Sequence, residues 1–195
     1  MKLVIVRYNA GNIQSVTYAL QRLGIEPVLS DDPEEIRSAD KVIFPGVGEA
    51  ATAMTYLRER QLDEVIISLR QPVLGVCLGL QLMCRHSEER NTTCMGIFPA
   101  EVRMFKPAEG IKVPHMGWNL LENLHSPLLE GLGDAPYVYF VHSYYADIDA
   151  YTIATTTYGG PFSAVIHKDN FYATQFHPEK SGATGARILQ NFLSL

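Results

Sequence analysis

The stretch from Pro72 to Gln81 reads PVLGVCLGLQ, and it decides the fold. Its first part, Val73 to Val76, is a short apolar run of strand type without a charged residue. From Leu78 onward the residues suit a helix that continues to about position 86. Cys77 therefore stands where a buried strand meets a helix, with a glycine two residues before it and another two residues after it. This is the spacing of a nucleophile elbow in which cysteine replaces serine.

The two flanking glycines, Gly75 and Gly79, fit the demands of such a turn. A tight strand-to-helix connection strains the backbone of the nucleophile and crowds its neighbours, which are best left without side chains. The turn also leaves the thiol at a helix N-terminus, where free N–H groups and the helix dipole favour the thiolate. The alternative is an ordinary buried cysteine, the commonest fate of a free one, and this stretch alone leaves both interpretations open.

The composition narrows the class of protein. A chain of 195 residues suits one α/β domain, spanning 1–195, that is long enough to bury a core. Its net charge of −5, without a basic stripe, argues against nucleic-acid and anionic-membrane partners. Three scattered cysteines do not form a disulfide framework. No apolar stretch reaches the length of a membrane span and the N-terminus lacks a signal-peptide layout, so we expect a cytoplasmic protein.

The order of the apolar patterns predicts the architecture. Strands are predicted at 3–6, 25–29, 41–44, 73–76, 100–105, 137–141, 152–156, 162–167 and 171–176. Helices are predicted at 13–23 after a cap at Asn12, and at 31–40, 49–69, 78–86 and 182–195. The early alternation of strand and helix predicts a parallel sheet with helices on both faces, and β structure dominates after Met95.

The loop from Pro45 to Ala51, PGVGEAA, matches the loose dinucleotide fingerprint G-x-G-x-x-A. That fingerprint belongs to the first strand–helix turn and needs an acidic residue about 20 positions later, whereas this loop follows the third predicted strand. Two uses remain open for its glycines. They can present backbone N–H groups to an oxyanion, or they can form a tight turn for steric reasons alone.

A second chemical motif, His177-Pro178-Glu179, ends the last predicted strand. Residues two apart in extended backbone point the same way, so Glu179 can hold one ring nitrogen of His177 while the other faces a thiol. The carboxyl ends of parallel strands share one crevice, which brings this motif towards Cys77. An isolated His-Pro-Glu sequence is more often a surface turn. Its combination with the elbow favours a catalytic triad of Cys77, His177 and Glu179.

The remaining histidines have no ligand spacing with Cys84 or Cys94, so we expect no zinc site and no other metal. The segment from Pro114 to Asn119, PHMGWN, concentrates aromatic, thioether and amide groups in what we predict to be a loop. It is either a core plug or a partner surface, because Trp and Met are enriched at interfaces.

GVCLGLQ and the distant HPE together resemble the class I (triad) glutamine amidotransferase family. PGVG, PHMGWN and YFVHSYY extend the resemblance over essentially the full chain and narrow it to the branch that serves histidine biosynthesis. The resemblance implies an open, mixed, mainly parallel sheet with helices on both faces, of flavodoxin-like architecture. It implies no metal or organic cofactor.

The resemblance also implies residue roles. It assigns the triad to Cys77, His177 and Glu179. It assigns the oxyanion donors to Val47, Gly48 and Leu78, and the glutamine-binding positions to Gln81, Glu89 and the backbone of His142, Ser143 and Tyr144. It assigns the partner interface to Asn12, His115, Met116, Trp118, Asn119, Tyr139 and Lys180.

The expected function is hydrolysis of L-glutamine, with the ammonia passed to a synthase subunit of (β/α)₈ type. Two alternatives stay open: a glutaminase serving another synthase, such as one making pyridoxal phosphate, and a catalytically silent regulatory partner. One departure concerns the first loop, Arg7 to Asn12. The family usually begins this loop with an acidic residue and more glycine, and the loop is expected near the partner.

Overall fold

The computed structural model describes residues 1–9 and 11–195. Its strands are β1 (Leu3–Val6), β2 (Val28–Ser30), β3 (Lys41–Phe44), β4 (Val73–Val76), β5 (His86–Ser87), β6 (Thr92–Thr93), β7 (Glu101–Met104), β8 (His115–Leu120), β9 (Tyr137–His142), β10 (Tyr144–Ala146), β11 (Thr152–Thr157), β12 (Pro161–Lys168) and β13 (Phe171–Thr174). Its helices are α1 (Ile13–Arg22), α2 (Pro33–Arg37), α3 (Ala50–Glu59), α4 (Leu62–Ser68), α5 (Leu78–Met83) and α6 (Gly182–Ser194).

A mixed sheet forms the centre of the molecule. Strands β2, β1, β3, β4 and β13 lie side by side in that order, all parallel. This is the flavodoxin-like order, in which the chain winds to both sides of the first strand. The sheet continues through β12, β10, β7, β5 and β6, mostly antiparallel, and β11 pairs with β12. The predicted mixed, mainly parallel sheet with helices is confirmed.

The two faces of the parallel strands carry separate helical layers. Alternate residues of β1 point to opposite faces: Val4 and Val6 join one apolar cluster, and Leu3 and Ile5 join the other. The first cluster includes buried residues of α2 to α5, and the second those of α1 and α6. Burial on both faces explains why β1, β3 and β4 read as continuous apolar runs.

Two predicted elements are displaced by turn chemistry. The second strand, expected at 25–29, lies at Val28–Ser30, because the N–H of Ile25 bonds to Leu20 O and closes the end of α1. The helix expected over 49–69 is two helices, since Gln61 takes a left-handed conformation, φ 55°, between α3 and α4. Strong apolar spacing on both sides of the break hides it from pattern analysis.

Three further predictions are wrong in their local structure. The segment expected as a loop at 114–119 is mostly strand β8, which pairs with β9 in a separate two-stranded sheet. The last strand ends at Thr174 and not at 176, so His177 precedes a 3₁₀ turn at Pro178–Lys180. Helix α5 ends at Met83, and His86 belongs to β5.

Among the described residues, no helix combines the length and apolar character needed to cross a membrane.

Candidate active site

The elbow has the backbone that its sequence predicts. Cys77 lies between β4 and α5 with φ 53° and ψ −105°, outside the usual regions for a side-chain-bearing residue, and its N–H donates to Thr174 O at 2.8 Å. A Cβ at Gly79 would lie 2.1 Å from Phe44 O, and one at Gly75 would lie 2.9 Å from Met83 Sδ. The glycines are therefore required by the close approach of neighbouring backbone and side chains.

His177 and Glu179 form a buried pair beside the elbow. The Nδ1 of His177 lies 2.7 Å from Glu179 Oε1, and both side chains are almost fully excluded from solvent. The contact is made across the 3₁₀ turn and not along an extended strand, so the predicted strand geometry is wrong although the two side chains meet. Among described residues, His177 Nε2 has no hydrogen-bond partner, so this nitrogen is free for proton transfer.

The electrostatics of the pair favour a charged imidazole. Burial lowers the pKa of His177, but the neighbouring Cys77 and Glu179 outweigh it and raise the pKa to about 10. No direct thiol–imidazole hydrogen bond satisfies distance and angle among the described residues, so the effect of Cys77 is one of proximity. The arrangement therefore suits an imidazolium at neutral pH.

Asn12 occupies a different role from the helix cap expected of it. It stands at the N-cap position of α1, but in a left-handed conformation with φ 71°, and its side chain makes no capping bond. Its Nδ2 donates instead to Glu179 Oε1 and lies 3.4 Å from His177 Nδ1. Ala10, in the loop just before it, lies outside the described residues.

A cavity of about 280 Å³ opens beside Cys77. Its lining includes the predicted oxyanion and glutamine-binding residues: Val47, Gly48, Leu78, Gln81, Glu89, His142, Ser143 and Tyr144. Glu89 Oε2 also accepts the N–H of Ala50, at the first turn of α3, and burial raises the pKa of this carboxyl. Residues from distant parts of the sequence thus meet at one pocket large enough for an amino acid.

The predicted oxyanion donors are not all available in this structure. The N–H of Leu78 donates to Gly46 O at 3.2 Å, so the PGVG loop occupies it. Gly48 has φ 124°, a conformation closed to other residues. Under the loop, Tyr8 is buried, stacks on Phe44 and donates its hydroxyl to Pro45 O at 2.7 Å. The first loop, through Tyr8, therefore supports the PGVG loop from below.

One polar residue of the site escapes the sequence analysis. Gln175 is fully buried at the end of β13, and its Nε2 lies 3.8 Å from Cys77 Sγ. Its Oε1 accepts from Gln81 Nε2 at 3.2 Å. Its position in the sequence could have indicated this role. Gln175 lies two residues before His177, in a stretch that must be buried beside the elbow.

The paired strands β8 and β9 divide the predicted interface residues between two faces. Directly opposed residues share a face, so Met116, Trp118 and Tyr139 lie outward, and both Met116 and Trp118 are more than half exposed. His115 and Asn119 lie on the inner face, and His115 is buried. The outer face is an apolar, aromatic surface next to the site.

The other two cysteines differ from Cys77. Both are buried and free. Burial raises the pKa of Cys94 to about 12 and that of Cys84 well above its usual range. Neither lines the pocket beside the triad, and neither forms a thiolate readily.

Comparison with known proteins gives a consistent family. Residues 4–195 match the family model described as glutamine amidotransferase class-I. The imidazole glycerol phosphate synthase subunit HisH of Bacteroides thetaiotaomicron is 59% identical over 196 residues, covering all of both chains. Subunit HisH of Yersinia pseudotuberculosis is 48% identical over 197 residues, again covering all of both chains.

Solved structures resemble the fold at low sequence identity. A putative GMP synthase protein from Thermoplasma acidophilum matches with a TM-score of 0.75 and 20% identity, covering 100% of this chain and 93% of that one. PurLQS from Thermotoga maritima matches with a TM-score of 0.72 and 18% identity, covering 99% and 97%.

Proposed function

The chain belongs to the class-I glutamine amidotransferase family, and from this premise we propose that it hydrolyses glutamine as one subunit of imidazole glycerol phosphate synthase, in histidine biosynthesis. The enzyme is a cysteine-dependent glutaminase. Its relatives are subunits of a biosynthetic enzyme, and on that basis we place it in the cytoplasm.

The observation that carries the proposal is the buried His177–Glu179 pair beside Cys77, whose thiol lines an amino-acid-sized pocket. A strained elbow presents the thiol, a free Nε2 is available on the imidazole, and a carboxylate holds Nδ1. These are the nucleophile, base and orienting group of a triad hydrolase.

The mechanism follows from this arrangement. The Cys77 thiolate attacks the side-chain amide carbon of glutamine, and the imidazolium of His177 protonates the departing ammonia. A water molecule then attacks the γ-glutamyl thioester while the neutral His177 takes its proton, which releases glutamate and restores the thiolate. Glu179 keeps the Nδ1–H oriented throughout and stabilises the cation.

We assign the amino-acid end of glutamine to Gln81, Glu89 and the His142–Tyr144 segment. The amide Nε2 of Gln81 is occupied by Tyr144 O at 2.9 Å and by Gln175, which leaves its Oε1 to accept from the substrate ammonium. Glu89 lies on the same wall and adds a carboxyl. No metal or organic cofactor is needed for these steps.

The partner in this proposal is a synthase subunit of (β/α)₈ type, which takes the ammonia before water protonates it. The outer face of β8 and β9 suits the docking surface because its aromatic and thioether side chains are exposed. The N–H of His177 bonds to Tyr139 O at 3.0 Å, so this surface connects directly to the triad. Lys180, also exposed, follows Glu179.

The occupied Leu78 N–H suggests how the enzyme stays inactive alone. With its donor bonded to Gly46 O, the site lacks one oxyanion contact, and losing such a donor costs about 10²–10³ in kcat. Docking of the synthase would favour a loop conformation that frees the donor. The free chain would then waste little glutamine.

The test is a reconstitution. Glutamate release is measured for the chain alone, with the synthase subunit, and with the synthase plus its nucleotide substrate, together with formation of imidazole glycerol phosphate. We expect strong activation in the full mixture and none in a Cys77→Ala variant that still binds the synthase. Hydrolysis that the synthase leaves unchanged, but that a pyridoxal phosphate synthase activates, would transfer the assignment to that enzyme. A wild-type chain inactive in every mixture would identify a silent regulatory subunit.

A further inference from the structure

A chain of partly and fully buried hydrogen bonds passes through the carbonyl of Tyr144. This oxygen accepts from His142 Nδ1 at 2.7 Å and from Gln81 Nε2 at 2.9 Å. Because a carbonyl can only accept, the His142 proton must be on Nδ1 and the Gln81 amide can point only one way. One backbone group thus fixes the orientation of two side chains.

The fixed Gln81 amide determines the orientation of the next glutamine. Its second N–H faces Gln175 Oε1 at 3.2 Å, which leaves the Nε2 of Gln175 facing Cys77 Sγ at 3.8 Å. The reverse orientation of Gln175 would set two N–H groups against each other in a site without solvent access. The amide end that faces the sulfur is therefore a donor.

The other end of the chain of bonds reaches the inner face of β8. The Nε2 of His142 accepts from His115 Nδ1 at 3.0 Å, and His115 Nε2 faces the amide Nδ2 of Asn119 at 3.5 Å. Only neutral rings satisfy this sequence of donors and acceptors, since a second proton on either ring meets another donor. Burial accordingly lowers the pKa of His142 to about 3 and that of His115 to about 4.

We propose that Gln175 donates an N–H hydrogen bond to the Cys77 thiolate, and that the His115–His142–Tyr144–Gln81 chain of hydrogen bonds holds Gln175 in the orientation that allows it. This inference rests on the proposed function and adds a group that touches the reacting sulfur. His115 and His142 are positioning residues: His115 holds the His142 ring, and the His142 Nδ1–H anchors the Tyr144 carbonyl that orients Gln81. The same chain of hydrogen bonds connects the inner face of β8 and β9 to the Cys77 sulfur.

The donor has a defined chemical effect. A hydrogen bond to a thiolate favours the ionised form, and it stabilises the same sulfur when the thioester is hydrolysed and the thiolate leaves. When the pKa of a thiol falls, the nucleophilicity of its thiolate falls less steeply than its basicity. The larger fraction of thiolate therefore outweighs the lower reactivity of each thiolate. Removing the donor should slow turnover about tenfold, the value of a modest hydrogen bond to a charged group.

The test measures the alkylation of Cys77 by iodoacetamide as a function of pH, read by peptide mass spectrometry, in wild type, Gln175→Met and Gln175→Glu. We expect the midpoint of the rate profile to move to higher pH by about one unit in Gln175→Met, and further in Gln175→Glu, where a carboxylate faces the sulfur. In the synthase complex, kcat should fall about tenfold in Gln175→Met while KM stays within about twofold. Gln71→Met, which removes a glutamine amide bonded to Ile36 O far from the site, is the matched control.

The orientation step has its own variants. His142→Asn keeps a donor near Tyr144 O and should retain the wild-type midpoint, whereas His142→Phe removes the donor and should shift the midpoint in the direction of Gln175→Met. Thermal unfolding identifies the variants that remain folded. Variants at Gln175 and at His142 test the proposal independently if those at one position fail to fold. Wild-type midpoints in folded Gln175→Met and Gln175→Glu would overturn the proposal, and a wild-type midpoint in His142→Phe would overturn the orienting role. Because alkylation requires neither glutamine nor synthase, these results are separable from a failure of the proposed function.

Discussion

At the scale of single residues, the Glu179 carboxylate has few hydrogen-bond partners. Its Oε1 accepts from His177 and Asn12, while Oε2 has no partner among the described residues. Both side chains of the His177–Glu179 pair are buried, so each charge depends on the other. This isolation makes the orienting role of Glu179 testable by an isosteric change.

We predict that Glu179→Gln lowers kcat about a hundredfold or more and changes KM little. A glutamine oxygen can still accept from His177 Nδ1, but the charge that stabilises the imidazolium is lost, and neither role holds substrate. Steady-state kinetics in the synthase complex measure both parameters. Glu34→Gln, in the exposed first turn of α2, is the control. A kcat equal to that of wild type would remove Glu179 from the triad.

The sequence predicts the triad but not the residues that support it. Cys77, His177 and Glu179 lie in local motifs whose spacing has a chemical reason. Gln175 and Asn12 have no such motif, because their roles arise from contacts across 98 and 167 positions of the chain. A glutamine before an aromatic residue and an asparagine before a helix both have commoner uses, as a surface amide and a cap.

At the scale of elements, the PGVG loop is the part of the site whose conformation changes in the proposed activation. It occupies the Leu78 N–H through Gly46 O and is supported from below by Tyr8. Gly46 could not carry a side chain, since a Cβ there would lie 2.3 Å from the Tyr8 hydroxyl oxygen. At Gly48, by contrast, a Cβ would meet open space, but φ is positive. A substitution there therefore affects the backbone conformation and not the packing.

We predict that Gly48→Ala lowers kcat in the synthase complex about tenfold or more, because an alanine restricts the peptide that must present an oxyanion donor. Gly24→Ala is a matched control, with φ 78°, open space and a position after α1. Gly24→Ala should cost about 1–2 kcal/mol of stability, and Gly48→Ala more, because φ 124° lies beyond the left-handed region that alanine reaches. Equal kcat values in the two variants would show that Gly48 serves only the turn.

The elements also show where pattern analysis stops. The buried strands β1, β3 and β4 are predicted at their observed bounds because both faces are covered and their residues are uniformly apolar. Strand β8 is missed because its inner face carries His115, Gly117 and Asn119, polar or small residues whose strand partners lie in β9. Its strand character comes from partner residues 17 to 27 positions away in sequence, which local patterns cannot contain.

At the scale of the whole molecule, burial of neutral histidines makes folding sensitive to acid. The unfolded chain protonates its histidines near pH 6.5, whereas His142 and His115 in the folded chain resist protonation until about pH 3 and about pH 4. The unfolded state therefore binds more protons over this interval, and stability falls as pH falls below 6.5. The two rings also lie in one aromatic cluster with Phe105 and Phe140.

We predict that lowering the pH from 6.5 to 5 removes about 1.6 kcal/mol of unfolding free energy for each of these two histidines. Urea unfolding at several pH values measures the slope. His142→Gln should lose about half of this acid dependence, whereas His125→Gln, at an exposed position, should retain all of it. The same acid dependence in His142→Gln as in wild type would mean that His142 is not held neutral by the fold.

The central claim is that one of three buried cysteines is the nucleophile, and one measurement tests it most directly. The synthase complex is treated with a glutamine analogue carrying an electrophilic side chain, and the modified peptides are identified by mass spectrometry. We expect modification of Cys77 in the pocket, loss of glutaminase activity in proportion, and no modification of Cys84 or Cys94, whose thiols are held protonated by burial. Labelling spread over all three cysteines, or inactivation with Cys77 unmodified, would contradict it.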